Sequence, residues 1–244
     1  MSQFSAARLE IPLHDRLIVA LDVSTRADAQ KLAGQLQGVC RWVKVGLELY
    51  LAAGNGIVEE LARQGFSVFL DLKFHDIPNT VAGAVRSAAS TGASLLTVHA
   101  AGGPAMLAAA AEAAAGAKNS PRLLAVTVLT SMDKSQLAAV GIATSPLEQV
   151  LRLAQIAQTS GIHGLVCSAE EVSALRRKLG PEVYLITPGI RPAGSEIGDQ
   201  KRVATPTAAI LAGATALVVG RPITHAADPA RAARAILDEI AAAT

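Results

Sequence analysis

Aromatic side chains are nearly absent from the 244-residue chain, where Phe, Tyr and Trp together make up 3%. So few rings offer no stacking platform for single-stranded nucleic acid. Cysteine is as scarce, with Cys40 and Cys167 the two present. Their spacing builds neither a disulfide framework nor a zinc site, and both read as small buried hydrophobes. Charged residues are 17% of the chain and nearly balanced, 22 Lys+Arg against 20 Asp+Glu, so a net charge of +2 announces no polyanion-binding surface. No apolar run approaches the ~20 residues of a membrane span. The opening MSQFSAARLEIPLHD contains no hydrophobic signal core. These absences imply a cytoplasmic protein without a membrane or nucleic-acid partner.

Hydrophobic residues, by contrast, reach 51%, which excludes disorder and is carried by Ala, Leu and Val in short segments. Strand-like runs occur at Leu17–Asp22, Trp42–Val45, Ser67–Lys73, Ser94–His99, Arg122–Thr127, Gly164–Cys167, Val183–Thr187 and Ala216–Gly220. Between them lie Ala-, Leu-, Gln- and Glu-rich stretches with helical spacing, among them Thr25–Gln37, Asn79–Ser90, Pro104–Gly116, Pro146–Gly161 and Glu170–Leu179. A last helix over Pro229–Ala243 is announced by Asp228 as N-cap and Pro at the first helical position. Eight strands alternating with eight helices in this length predict an α/β protein, a (β/α)8 TIM barrel spanning 1–244 as one domain. A doubly wound open sheet shares the alternation, but no G-x-G-x-x-G turn follows the first strand.

Catalytic groups of such barrels sit at the C-terminal ends of the strands. That rule selects few residues here. Asp22 ends the first strand and Lys44 lies near the end of the second. Asp71 and Lys73, two apart at the end of the third, point to one face, with Leu70 and Leu72 on the other. Asp76 follows in the turn. Four charges on three consecutive strands are poor barrel packing unless they satisfy one another as a network, and networks of this kind shift reactivity. Loops after the seventh and eighth strands of many barrels bind phosphate through backbone N–H groups. Here they read Thr187-Pro-Gly-Ile-Arg-Pro192 and Val219-Gly-Arg-Pro-Ile223, with Arg221 suited to grip phosphate bidentately. The hydroxyls of Leu129-Thr-Ser-Met132 could read a polar heterocycle or merely form a turn. His99 at the end of the fourth strand is a weaker candidate, and His14, His163 and His225 show no metal spacing.

Asp71-Leu-Lys-Phe-His-Asp-Ile-Pro-Asn-Thr80 resembles the D-x-K-x-x-D-I-P-x-T signature of the orotidine 5′-monophosphate decarboxylase family, in its bacterial form. LDV at 21–23, KVG at 44–46, LTSMD at 129–133, TPGIRP at 187–192 and VVGRPI at 218–223 extend the resemblance over nearly the whole chain. It implies decarboxylation of orotidine 5′-monophosphate to uridine 5′-monophosphate without a cofactor or metal. By the same resemblance, Lys73 protonates the C6 carbanion, Asp71 lies beside the departing carboxyl group, and Lys44 holds Asp71 and the ribose. Asp22 binds ribose hydroxyls. Asp76 and Thr80 reach across a homodimer interface into the partner's site, and Ile77 and Pro78 join the substrate-binding set. Thr130 and Ser131 meet the pyrimidine; Arg191, Gln200, Gly220 and Arg221 surround the phosphate, with Ala193–Gln200 as a lid.

Three other readings share some of these residues. A Mg2+-dependent sugar-phosphate decarboxylase or synthase carries the same D-x-K-x-x-D core. A Schiff-base aldolase also uses a barrel lysine. A non-catalytic nucleotide-binding protein could retain an enzyme-like barrel.

Overall fold

The structure, a computed structural model, describes residues 11–192 and 202–244. Its strands are β1 (Leu17–Ala20), β2 (Trp42–Gly46), β3 (Ser67–Phe74), β4 (Leu95–His99), β5 (Arg122–Val126), β6 (Gly164–Val166), β7 (Tyr184–Thr187) and β8 (Ala216–Val219). They pair in chain order into a closed parallel barrel, with Leu17 of β1 opposite Leu217 of β8. Closure leaves no edge strand and excludes the open-sheet alternative. The helices are α1 (Arg26–Leu36), α2 (Leu47–Ala53), α3 (Asn55–Arg63), α4 (Pro78–Ala89), α5 (Gly103–Ala115), α6 (Lys134–Ala139), α7 (Pro146–Thr159), α8 (Ala169–Leu179), α9 (Pro206–Ala212), α10 (Arg221–Thr224) and α11 (Pro229–Ala242).

Three departures from the sequence reading have local causes. First, β1 stops at Ala20 rather than Asp22. Leu21 N still donates to Lys44 O at 2.9 Å, but the chain then turns toward Thr25, whose hydroxyl caps α1 by accepting from Asp28 N. Second, eleven helices rather than eight are found among the described residues. After β2, Gly54 adopts φ +64, a left-handed value that ends α2 and lets α3 begin at once. Third, short α6 and α10 precede longer helices that begin at their own caps. Ser145 forms a capping box ahead of Pro146, and Asp228 accepts from Arg231 N ahead of Pro229. The Asp228 cap is as expected.

Period-two alternation divides the strand side chains between two clusters. Val19, Val43, Val68, Leu70, Leu96, Ala125, Leu165, Leu185 and Leu217 face outward and pack with the helices. Leu72 joins them, as its parity with Leu70 predicts. Ile18, Ala20, Phe69, Leu95, Leu124, Tyr184, Ile186, Ala216 and Val218 face inward and fill the barrel. Cys40 and Cys167 are unpaired and buried, and burial pushes both thiols up to about 12, so they act as apolar filler. No helix among the described residues is long and apolar enough to cross a membrane.

Candidate active site

The inward positions of the strands change character toward their C-terminal ends. Ala20, Trp42, Phe69 and Leu95 belong to the apolar filling. Two residues further along the chain stand Lys44, Asp71 and Thr97, at the next inward position of their strands, and Asp22, just past the end of β1. Lys44 Nζ lies 2.8 Å from Asp22 Oδ1 and 3.7 Å from Asp71 Oδ2. On the other side of Asp71, Lys73 Nζ donates to Oδ1 at 2.9 Å. The result is an alternating chain, Asp22–Lys44–Asp71–Lys73, in which each interior member faces opposite charge on both sides. That alternation makes burial tolerable: Lys44 is only 8% exposed.

Lys73 gains its position through a break in the sheet. The pairing of β3 with β4 shifts register between Leu70 and Phe74, and Lys73 takes φ +53, a conformation that side-chain-bearing residues rarely adopt. Its backbone N–H donates to Thr97 Oγ1 at 2.9 Å, and the same hydroxyl donates to Asp71 Oδ1 at 2.9 Å. Thr97 thus replaces a lost backbone partner for Lys73 and fixes the Asp71 carboxylate in one group. Such strain, held by surrounding bonds, concentrates at functional sites.

Burial alone pushes the Asp71 carboxyl up. Lys44 and Lys73, with hydrogen bonds from Lys73 and Thr97, outweigh it and hold Asp71 below its ordinary value. Asp71 is therefore a carboxylate at neutral pH. His99, whose ring centroid lies 5.4 Å from that of His75, is held below its ordinary value by burial, then by His75 and Lys73. It is a neutral ring beside the network. Gly46 leaves room for the Lys44–Asp22 pair: a Cβ there would stand 3.0 Å from Lys44 Nζ and 3.1 Å from Asp22 Oδ1, so the two side chains would have to shift by a few tenths of an ångström.

The network forms one wall of a cavity of about 590 Å³ at the C-terminal mouth of the barrel. Pro188, Gly189, Arg191, Gly220 and Arg221 from the loops after β7 and β8 also line it, as do Thr130 and Ser131 after β5. The structure thus gathers Asp22, Lys44, Asp71, Lys73, Thr130, Ser131, Arg191, Gly220 and Arg221 around one space. Asp76, Ile77, Pro78 and Thr80 are not in its lining: all four are exposed at the start of α4, Ile77 at 67%. Asp76 Oδ1 accepts from Ile77 N at 2.6 Å. Gln200 and the segment Ala193–Gln200 lie outside the described residues. No cluster of three or more His, Cys, Asp or Glu suited to a metal occurs among the described residues.

Sequence reasoning passed over Thr97 and the spatial role of Gly46. Thr97 carried a signal in its parity: it shares the inward face of β4 with Leu95, where a hydroxyl has no packing purpose. Gly46 carried none, since its importance depends on where Lys44 Nζ and Asp22 meet.

Comparison with known proteins agrees with this geometry. The sequence pattern of the Orotidine 5′-phosphate decarboxylase / HUMPS family matches residues 15–236. The orotidine 5′-phosphate decarboxylase of Halorhodospira halophila is 55% identical over 236 residues, covering 96% of this chain and 100% of that protein. The crystal structure of orotidine 5′-phosphate decarboxylase from Lactobacillus acidophilus superposes with a TM-score of 0.82 at 41% identity, over 92% of this chain and 98% of that one. The corresponding enzyme structure from Pyrococcus horikoshii gives a TM-score of 0.74 at 26% identity, over 92% of this chain and 99% of that one. With barrel, charged network and near-full-length likeness in agreement, the chain belongs to the Orotidine 5′-phosphate decarboxylase / HUMPS family.

Proposed function

We propose that the protein decarboxylates orotidine 5′-monophosphate to uridine 5′-monophosphate in pyrimidine biosynthesis, with no cofactor or metal. The observation that carries this reading is the Asp22–Lys44–Asp71–Lys73 chain facing the same cavity as Arg191 and Arg221. Loss of CO2 breaks the bond between C6 and the carboxyl carbon and leaves the electron pair on C6. The Lys73 ammonium stands preorganised near that charge, stabilises it, and then delivers its proton to C6. The neutral amine regains a proton from solvent after product leaves. Asp71, kept ionised by its two lysines, orients Lys73 and presents negative charge beside the substrate carboxylate. Lys44 holds Asp71, and Asp22 accepts from the ribose hydroxyls. Thr130 and Ser131 meet the pyrimidine edge.

Arg191, Gly220 and Arg221 take the phosphate, joined by Gln200. Binding of that remote group then contributes to the barrier at C6 rather than to affinity alone. The chain acts as one barrel domain over 1–244. Two free buried cysteines suit a reducing compartment, and we place the reaction in the cytoplasm.

We further propose a homodimer with shared sites. Asp76, Ile77, Pro78 and Thr80 are exposed beside the mouth rather than lining it, where a second copy can receive them. Exposed Leu47 and Leu51, at 52% and 81%, lie on α2, which follows the adjacent strand β2, and supply apolar area for the contact.

Loss of orotidylate absorbance with purified, EDTA-treated protein tests the reaction. Turnover that survives chelation is expected; no turnover at any practical enzyme concentration overturns it, and a sugar-phosphate activity dependent on Mg2+ replaces it. Mixing Asp71→Ala and Asp76→Ala proteins tests the dimer. Hybrid dimers regain one intact site, so about a quarter of all sites recover after full exchange of equal amounts in a two-fold dimer. No recovery despite demonstrated exchange sinks the shared site.

A further inference from the structure

Among the described residues, one buried ion pair lies outside the charge network. Arg202, 9% exposed, pairs through Nη1 with Oε1 of Glu171, 2% exposed, in the first turn of α8. The other guanidinium nitrogen, Nη2, donates to Val128 O at 3.2 Å and Leu129 O at 3.0 Å. Glu171 Oε2 accepts from Ser168 N at 2.7 Å, holding the turn after β6. Arg202 is itself tied to the loop after β7 through its near neighbour Ala204. Ala204 N donates to Gly189 O at 3.3 Å, and Arg191 N donates to Ala204 O at 2.9 Å. One guanidinium therefore joins three successive loops at the mouth of the barrel. Val128, Leu129, Gly189 and Arg191 all line the cavity, and Thr130 follows directly.

Stability alone is a weak reason for such a pair, because apolar side chains of similar volume usually serve as well or better. The fork geometry is what apolar groups cannot supply: a carboxylate and two carbonyls held at fixed directions. We propose that Arg202, locked by Glu171, is a positioning residue that couples the phosphate-side loop at Gly189–Arg191 to the pyrimidine-side loop at Leu129–Ser131. Phosphate capture then sets the base-reading hydroxyls. This inference rests on the reading of the cavity given above.

The test compares orotidine 5′-monophosphate with orotidine, which lacks the phosphate. Wild-type turnover of the phosphorylated substrate comes first, and its absence removes the reading of function itself. Given that turnover, the double variant Arg202→Met/Glu171→Met is expected to fold with an unchanged or higher Tm. Its kcat/KM should fall about 100-fold with orotidine 5′-monophosphate and less than about threefold with orotidine, the upper range of coupling between two sites. Arg202→Lys keeps the charge but loses the fork, and should lose about tenfold with the phosphorylated substrate alone. The same selectivity is expected in binding of uridine 5′-monophosphate against uridine, which requires no turnover. Equal losses on both members of either pair mean a structural role and overturn the proposal, as does wild-type behaviour of the double variant. If the double variant does not fold, Arg202→Lys decides by the same ratio.

Discussion

The two halves of the barrel interior are built on the same strands yet answer to different demands. In the lower half, Ile18, Phe69, Leu95, Leu124, Tyr184 and Ala216 meet as an apolar plug. One inward step higher, Asp22, Lys44, Asp71 and Thr97 meet as a hydrogen-bonded charge chain. A single residue period separates a region that stabilises the fold from one that gives up apolar packing for preorganised charge. The lower half holds few polar groups, and these lie at its end with partners: Trp42 Nε1 donates to Asp15 Oδ1 at 2.8 Å, and the Arg122 guanidinium lies 4.5 Å over the Tyr184 ring. The upper half tolerates four charges because they alternate in sign. Substitutions in the two halves should therefore separate stability from activity.

The largest effect is expected from Lys73→Ala. Removing both the cation and the proton donor should lower kcat on the order of 10⁴-fold or more. Tm should change little or fall modestly, because Lys44 remains beside Asp71 while alanine keeps a Cβ at φ +53. Turnover within tenfold of wild type, roughly one 1.4 kcal/mol step, would remove Lys73 from its role. Leu124→Ala in the plug should do the reverse, costing about 3 kcal/mol in denaturant unfolding while the folded fraction keeps its kcat. A loss of kcat at full folding would show that the halves are not separable.

Gly46→Ala sharpens the boundary between them. The added Cβ meets Lys44 Nζ at 3.0 Å, so we expect about a tenfold or greater loss in kcat/KM from a displaced lysine, with little change in Tm. Unchanged kinetics would mean that the Lys44–Asp22 contact is dispensable. The smallest effect concerns acid. Asp71 is held below its ordinary value of 3.8 when folded. Its contribution to stability is thus complete above that ordinary value and is lost as pH falls through the lower folded value. The stability gap between wild type and Asp71→Asn should be flat above about pH 5 and narrow below pH 4. A gap that widens with acid contradicts the pairing.

Much of the fold was legible because it is written in local periodicities. Alternation of short Val- and Leu-rich runs with Ala-rich helical stretches predicted the eight strands. The Asp71-x-Lys73 spacing pointed both side chains to one side, and both do line the cavity, but Lys73 reaches it through the break in the β3–β4 register rather than by regular alternation. Helix boundaries were less legible, since Gly54 could be read as an ordinary loop residue until its φ of +64 showed two helices meeting there. In the site, charged residues declared themselves because charge is rare in this chain. Thr97 did not, since a threonine in a strand is ordinary until its neighbours are known. Arg202 escaped for the same reason: among 22 Lys and Arg residues, nothing local separates a buried arginine from a solvated one.

The sequence by itself determined the element alternation, the caps that start α1, α7 and α11, and the inventory of charges at the strand ends. These depend on residues within one or two turns of each other. Tertiary structure alone decided that β8 returns to β1, setting Leu17 beside Leu217. It also decided that Lys44 stands between Asp22 and Asp71, and that a slip in the β3–β4 register hands the Lys73 backbone to Thr97. Closure and register are set by burying both faces of every strand at once, a condition that no short stretch of chain can express.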